Sequence, residues 1–333
     1  LIMRIGICYD TKEDYGYESD NLNYTDFVSL QTVASIREAL ENIGHDVTYI
    51  NAKNLINFIE KENEQIDFIF NLVEGIRSRN RVALVPAYLE FRGIKHSGSD
   101  TFATAIAQNK HFTKLLLRNL GINTPEGFVY ECLTDSVIRE AISLGFPLVI
   151  KPNSEGGGMG VVMVNNIDEF IYHSRYLIKK FNFELLCEKY IKGKELTVPI
   201  IGNGKESQAL GVVAIVNKDY SDIDLYDAKK KYENNVIGIL DFPCPDHIKE
   251  EIKNISLNIH KYIGINDYSR MDYRMDENGN LYFLEANLLP FLNREGSFEV
   301  CFKKIGKCYQ DVIERIINSS LRRYSRSYSG FTL

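Results

Sequence analysis

The stretch SRMDYRMDENGNLYFLEAN, residues 269–287, decides the reading of the whole chain. Two runs of alternating polar and apolar residues flank Asp276 to Asn280, and Asn278-Gly279 is the preferred pair for a two-residue type I′ hairpin turn. Such a turn pairs Glu277 with Asn280. Counting back then sets Asp272 opposite Glu285 and Arg270 opposite Asn287. Side chains alternate along a strand, so these four share one face, while Met271, Tyr273, Leu284 and Ala286 turn into a core. Two carboxylates directly opposite each other repel, at roughly a few tenths of a kcal/mol or more. Positive charge is needed between them. Two readings supply it. One is a hard divalent cation on Asp272, Glu285 and the Asn287 amide oxygen, its other positions filled by phosphate oxygens and water. The other is an exposed face on which Arg270 neutralises the acids.

Further upstream, PLVIK at residues 147–151 reads as a buried strand ending on Lys151, followed by PNSEGGGMG at 152–160. Glycines allow a loop to bring backbone N–H groups against a phosphate, and a lysine at the strand end adds a point charge for the same anion. Gly-Lys-Ser/Thr is absent and a strand at 161–164 follows, so this is not a P-loop. A glycine-rich lid over a nucleotide and a plain flexible turn both fit. Next, LLCEKYIKGKELTV at 185–198 ends an apolar strand on Glu188, turns at Lys192-Gly193 and opens a strand bearing Glu195. These two acids read as partners of ribose hydroxyls or as surface charges.

The first hundred residues alternate strand and helix signals. Strands are expected at 3–8, 47–50, 66–70 and 94–96. Helices are expected at 30–43, with Val33, Ile36, Leu40 and Ile43 on one face, and at 82–91. The pattern is an open parallel α/β sheet. Strand one runs into Cys8-Tyr9-Asp10 without Gly-x-Gly-x-x-Gly, so the usual dinucleotide site is absent. Two helices at 101–107 and 110–120 then lead to a break at Gly121 and Thr124-Pro125. The expected division is a Rossmann-like unit at 1–100, a second α+β unit at 101–192, a strand-rich third unit with a terminal helix at 193–317, and a polar tail at 318–333.

A length of 333 residues accommodates two or more such units. The formal net charge is −6, from 39 basic and 45 acidic residues without long blocks, which argues against nucleic acid as a partner. No apolar run approaches the roughly 20 residues of a membrane span, and the N-terminus lacks a basic segment followed by an apolar one. No membrane association is expected. The six cysteines include no Cys-x-x-Cys and read as reduced thiols, consistent with a cytoplasmic location. His45, His96 and His260 stand beside apolar runs and read as structural.

The order of these features, Lys110, Lys151 with its glycine loop, Glu188 and Glu195, Arg270-x-Asp272, then Glu285-x-Asn287, resembles the ATP-grasp superfamily and within it the D-alanine:D-alanine ligases. The resemblance extends from RIGICYD to the terminal helix. It implies a Rossmann-like domain followed by an α+β ATP-grasp fold of two subdomains that clasp ATP. By this resemblance Lys110 and Lys151 meet the ATP phosphates, with Glu155, Gly156, Gly157, Gly158 and Gly160 forming the phosphate loop. Glu188, Lys189, Tyr190 and Ile191 form the adenine hinge, and Glu195 meets the ribose. Asp272, Glu285 and Asn287 match ligands of Mg2+, two ions in number, with Mn2+ as a substitute. Arg270 matches the arginine that stabilises the transferring phosphoryl group. Lys229 lies where a mobile loop sends a lysine towards the γ-phosphate, and Ser297, with Gly296, lies near the place of the acceptor-carboxylate serine. The implied chemistry is ADP-forming ligation of two amino acids through an acyl phosphate, by a homodimer.

The amino-acid positions depart from that pattern. The family has a glutamate just before Val-Ser-Leu. Here Val28-Ser29-Leu30 follows Phe27 and Asp26, after an acidic, Tyr-rich segment at 11–25. A glycine-rich stretch is replaced by EGIRSRNR at 74–81, so that Glu74 and Arg77 become candidate substrate contacts, the arginines either binding a carboxylate or forming a solvated loop. Lys230 takes the place of a family tyrosine. A ligase of the same fold with another product, and a non-catalytic nucleotide-binding regulator, are therefore the alternatives. The intact set of Arg270, Asp272, Glu285 and Asn287 weighs against the regulator.

Overall fold

The computed structural model describes residues 2–18, 26–61, 66–76, 78–225, 227–229 and 236–327. Its first sheet is parallel, with Arg4–Tyr9 between Asp46–Asn51 and Phe68–Leu72. Strand 94–96 of the expectation reduces to a single bridge between Ile69 and His96. Helix Leu30–Asn42 is started by Ser29, whose side chain accepts from Thr32 N at 3.2 Å, and it stops where Gly44 takes a φ of +96°. Val33, Ile36 and Leu40 recur at helical spacing and pack on Ile5, Ile7 and Phe68.

The second sheet is antiparallel, in the order Gly127–Tyr130, Leu185–Lys189, Leu148–Pro152, Val162–Val164. Helices Asp135–Leu144 and Ile167–Phe181 cover it through Ala141, Phe170 and Leu177. The third sheet runs Val236–Ile239, Val213–Asn217, Lys194–Ile201, Tyr268–Met275, Leu281–Asn287, with Gln208–Ala209 paired beside Lys194–Ile201. Helix Asp246–Ile263 packs against it through Ile252, Ile259 and Ile263.

Two segments pack elsewhere than the sequence division suggests. Helices Thr101–Gln108 and Lys110–Arg118 lay Ala103, Ala107 and Leu117 into the core of the third sheet rather than the second. The terminal helix runs from Tyr309 to Ser327, where a tail was expected from 318. It returns to the first sheet, with Val312, Ile313, Ile316 and Ile317 against the same core as Ile5 and Phe68. Beyond 317 its register still points inwards. Ser320 Oγ donates to Asp267 at 2.6 Å, and Arg323 reaches Asp267 at 2.9 Å and the carbonyls of His96 and Gly98. A buried counter-charge, absent from the local sequence, is what orders this polar end.

Candidate active site

Between the second and third sheets lies a cavity lined by both. Its third-sheet wall is the hairpin. Arg270 faces Asn287 and Asp272 faces Glu285, as expected, although the turn differs. Asp276 pairs with Asn280 around the three-residue loop Glu277-Asn278-Gly279, with Gly279 at φ +84° and its N–H donating to Asp276 O at 3.0 Å. That moves the register by one residue. A bulge between Asp272 and Tyr273 moves it back. The bulge also corrects the expected faces: Phe283 joins the core, whereas Leu284 lines the cavity beside Glu285.

Arg270 grips Asp272 with two bonds, Nε to Oδ1 at 2.8 Å and Nη2 to Oδ2 at 2.7 Å, and Thr197 Oγ1 donates to Oδ1 at 2.7 Å. Glu285 lies 3.3 Å from Lys110 Nζ. Burial would raise its carboxyl, but Lys110, Lys151 and Arg270 outweigh it and hold Glu285 well below the usual carboxylate range. Two acids, one of them held ionised by surrounding cations, and an amide at the same end of one cavity form a donor set of the kind a hard cation takes together with phosphate. Among the described residues no group of three or more His, Cys, Asp or Glu has metal-binding geometry, so the fit rests on this two-acid arrangement.

The second-sheet wall carries Lys151 and Glu188 on adjacent strands. Lys151 pairs with Leu186, which places Glu188 two residues along on the same face, and Lys151 Nζ lies 2.5 Å from Glu188 Oε1. Oε2 is taken by Lys114 Nζ, from helix Lys110–Arg118. Glu188 is therefore engaged by two ammonium groups, which overcome the effect of burial and hold its carboxyl low. Its side chain is not free for ribose, in contrast to the sequence expectation. Glu195 remains available to the cavity. Burial first, and then Asp272 and Glu285, push its carboxyl up to about 7, against the pull of Arg274, 3.4 Å away.

The glycine loop covers the gap. Gly157, Gly158 and Gly160 have φ of +65°, +73° and +70°, where a side chain is strained. A Cβ on Gly158 would stand 2.9 Å from Ala228 N, which donates to Gly158 O at 3.1 Å. This seats the loop on the segment bearing Lys229, whose own side chain is exposed and outside the cavity lining.

At the far end, neither expectation for the 74–81 arginines holds at Arg81. Its guanidinium is buried and enclosed by Asp26, Glu74 at 3.2 Å and Glu155 at 3.1 Å, with a further bond to Glu74 O at 2.8 Å. Arg77 lies outside the described residues, and Arg79 is exposed.

The cavity thus brings together Glu74, Lys110, Lys151, Glu155, Gly156, Gly157, Gly158, Glu188, Lys189, Tyr190, Ile191, Glu195, Arg270, Asp272, Glu285 and Asn287. It does not include Gly160, Gly296 or Ser297. Ser297 begins helix Ser297–Lys304, which turns Phe298 and Phe302 into the core of the first sheet. Sequence reading named Asp26 and Arg81 without joining them, and missed Lys114, Thr197 and Arg274. Arg274 had a local signal: period two from Arg270 and Asp272 puts it on their face, where it donates to Gly193 O at 2.7 Å and Ile223 O at 3.0 Å.

A sequence profile described as the D-ala D-ala ligase C-terminus matches residues 116–318. The chain is 30% identical over 304 residues to D-alanine–D-alanine ligase A of Bacillus cereus, covering 91% of this chain and 96% of that one. It is 28% identical over 292 residues to the D-alanine–D-alanine ligase of Aquifex aeolicus, covering 87% and 94%. The crystal structure of the Bacillus anthracis D-alanine–D-alanine ligase complexed with ATP superposes with a TM-score of 0.77 at 28% identity, covering 98% of this chain and 99% of that one.

Proposed function

Because the chain belongs to the D-alanine–D-alanine ligase family of the ATP-grasp superfamily, we propose that it is an ATP-dependent, ADP-forming ligase joining D-alanine to D-alanine. The observation that carries this is the convergence of Lys110, Lys151 and Arg270 with Asp272, Glu285 and Asn287 in one cavity. A polyphosphate needs cations and a metal together. Few other substrates need this combination.

A carboxylate is a poor acylating agent. Attack of its oxygen on the γ-phosphorus of ATP breaks the bond to ADP and forms an acyl phosphate. The amine then attacks the carbonyl carbon, the C–O bond to phosphate breaks, and the amine loses a proton. In this reading Lys110 and Lys151 offset the phosphate charge, and the backbone of Gly156, Gly157 and Gly158 closes over it to exclude water. Arg270 meets the oxyanion of the second step. The hinge 188–191 holds the base through its backbone, and Glu195 the ribose. Asp272, Glu285 and Asn287 would hold Mg2+, one or two ions, which supplies charge neutralisation on the transferring group. Lys229 reaches the site only if its loop moves, and Ser297 only if the acceptor approaches that helix end.

A second reading keeps the fold and the ATP half-reaction but changes the amino acids. The enclosure of Arg81 by Asp26, Glu74 and Glu155 favours it, since this end of the cavity carries three acids around one cation. We further infer a homodimer joined through the first unit, supported by the exposed Leu84 and Phe91, and a cytoplasmic location in keeping with six unpaired cysteines. Among the described residues no helix is long and apolar enough to cross a membrane.

The test is ADP release across a panel of D- and L-amino acids, with product masses. D-alanine alone yielding its dipeptide supports the first reading. A different stimulating pair supports the second. Unchanged ADP release with every amino acid would refute both.

A further inference from the structure

Helix Lys110–Arg118 presents two lysines one turn apart, and the i, i+4 spacing sends both towards the cavity wall. Lys110 lies against Glu285 and the Glu155 carbonyl at the cavity surface. Lys114 goes deeper. Its side chain is 1% exposed, and its ammonium is bound to Glu188 Oε2 while the other oxygen of the same carboxylate holds Lys151 at 2.5 Å. Glu188 itself is 2% exposed. With Lys114 as an ammonium this buried group of three has two positive charges and one negative, a net of +1, which burial and then Lys151 oppose by pushing Lys114 down to about 7 against the pull of Glu188.

The division matters for Lys151, the member of the three nearest the glycine loop in sequence and a lining residue of the cavity. A carboxylate shared between two ammonium groups neutralises each only in part. Without Lys114, the whole charge of Glu188 would fall on Lys151, forming a neutral pair with little attraction left for an anion. We propose that Lys114 is a positioning residue for the nucleotide: by occupying one oxygen of Glu188, it keeps the Lys151 ammonium incompletely neutralised and available to the polyphosphate. This rests on the nucleotide reading of the cavity. It assigns Glu188 to the tuning of a phosphate lysine rather than to ribose.

Lys114→Met preserves the volume and leaves a balanced Glu188–Lys151 pair, so the fold should survive it. Lys114→Gln keeps a donor for Glu188 but removes the charge. Both variants should weaken Mg·ATP binding about tenfold by calorimetry, which corresponds to ~1.4 kcal/mol. KM for ATP should rise in step, with kcat and the amino-acid KM changing less than about twofold. Lys114→Arg should restore ATP affinity to within about threefold, since the guanidinium keeps the charge. Acetylation of Lys151 in the nucleotide-free protein, followed by peptide mapping, should slow in Lys114→Met because Glu188 holds the ammonium more tightly. Unchanged ATP affinity in a folded Lys114→Gln or Lys114→Met protein would overturn the proposal while leaving the nucleotide reading intact. So would parallel losses in kcat, KM and melting temperature that Lys114→Arg does not rescue. Wild-type protein that binds no Mg·ATP would bring down the nucleotide reading and this proposal with it.

Discussion

Arg270 and Asp272 form a closed ion pair on one strand, with Nε and Nη2 of the guanidinium each meeting one carboxylate oxygen, at 2.8 and 2.7 Å. The residue assigned to the transferring phosphoryl group is thus held by a residue assigned to the metal. Asp272→Asn, which keeps the shape but surrenders the charge, should lower kcat/KM at least about 100-fold, and Glu285→Gln should do the same. Steady-state ADP release measures both, and near-normal turnover in the two variants would remove the metal assignment.

Arg81 is the keystone of a buried acidic cluster, and its loss removes the counter-charge that Asp26, Glu74 and Glu155 share. Arg81→Met should cost about 3–5 kcal/mol in denaturant unfolding, far more than a surface arginine. Asp26→Asn should cost less, because two acids still hold the guanidinium. Equal, small effects would mean that the cluster is not balanced as its distances suggest.

The cluster also marks where sequence reading stops. Asp26, the 74–81 stretch that carries Glu74 and Arg81, and Glu155 are separated by whole elements, so no local pattern joins the three. Alternation along 269–287 did locate the hairpin pairs, because strand period two is a local property. Even there, agreement at Asp272 and Glu285 came through two compensating one-residue offsets, the three-residue turn and the bulge. The polar 318–327 stretch looked solvated for the opposite reason: the acid that neutralises Arg323 is Asp267, from another unit. Gly156, Gly157 and Gly158 and the positions of Lys110 and Lys151 were legible. The partners that decide each lysine's charge were not.

His260 supplies a pH test of the third sheet. Its ring lies 2.8 Å from Ser269 Oγ and 3.1 Å from Gly202 O, so Nε2 carries the proton towards the carbonyl and Nδ1 accepts from the hydroxyl. Burial pushes the imidazole down from 6.5 to about 4. The folded state therefore favours the neutral ring. This contribution is complete above about pH 6.5 and is lost as the pH falls towards 4, up to about 3 kcal/mol at ~1.4 kcal/mol per unit. His260→Gln should flatten that limb. Unfolding midpoints at pH 7.5 and 5 give the comparison, and an equally steep fall in the variant would assign the pH dependence elsewhere.

Gly158 joins positive φ to a close approach by Ala228 N. Gly158→Ala introduces strain of about 1–2 kcal/mol at one loop residue and lifts the loop from its seat. The fold should persist, with ATP affinity down roughly tenfold, or ~1.4 kcal/mol. Calorimetry with Mg·ATP reads this directly, and unchanged affinity would detach the loop from the nucleotide.

The acyl phosphate is the centre of the account, and isotope transfer tests it most directly. D-alanine labelled with 18O in its carboxylate is incubated with the protein and Mg·ATP, and the phosphate and dipeptide are weighed. Attack on the γ-phosphorus followed by amine displacement should leave one 18O in inorganic phosphate for each D-alanyl-D-alanine formed. ADP formation accompanied by phosphate without 18O would contradict the account.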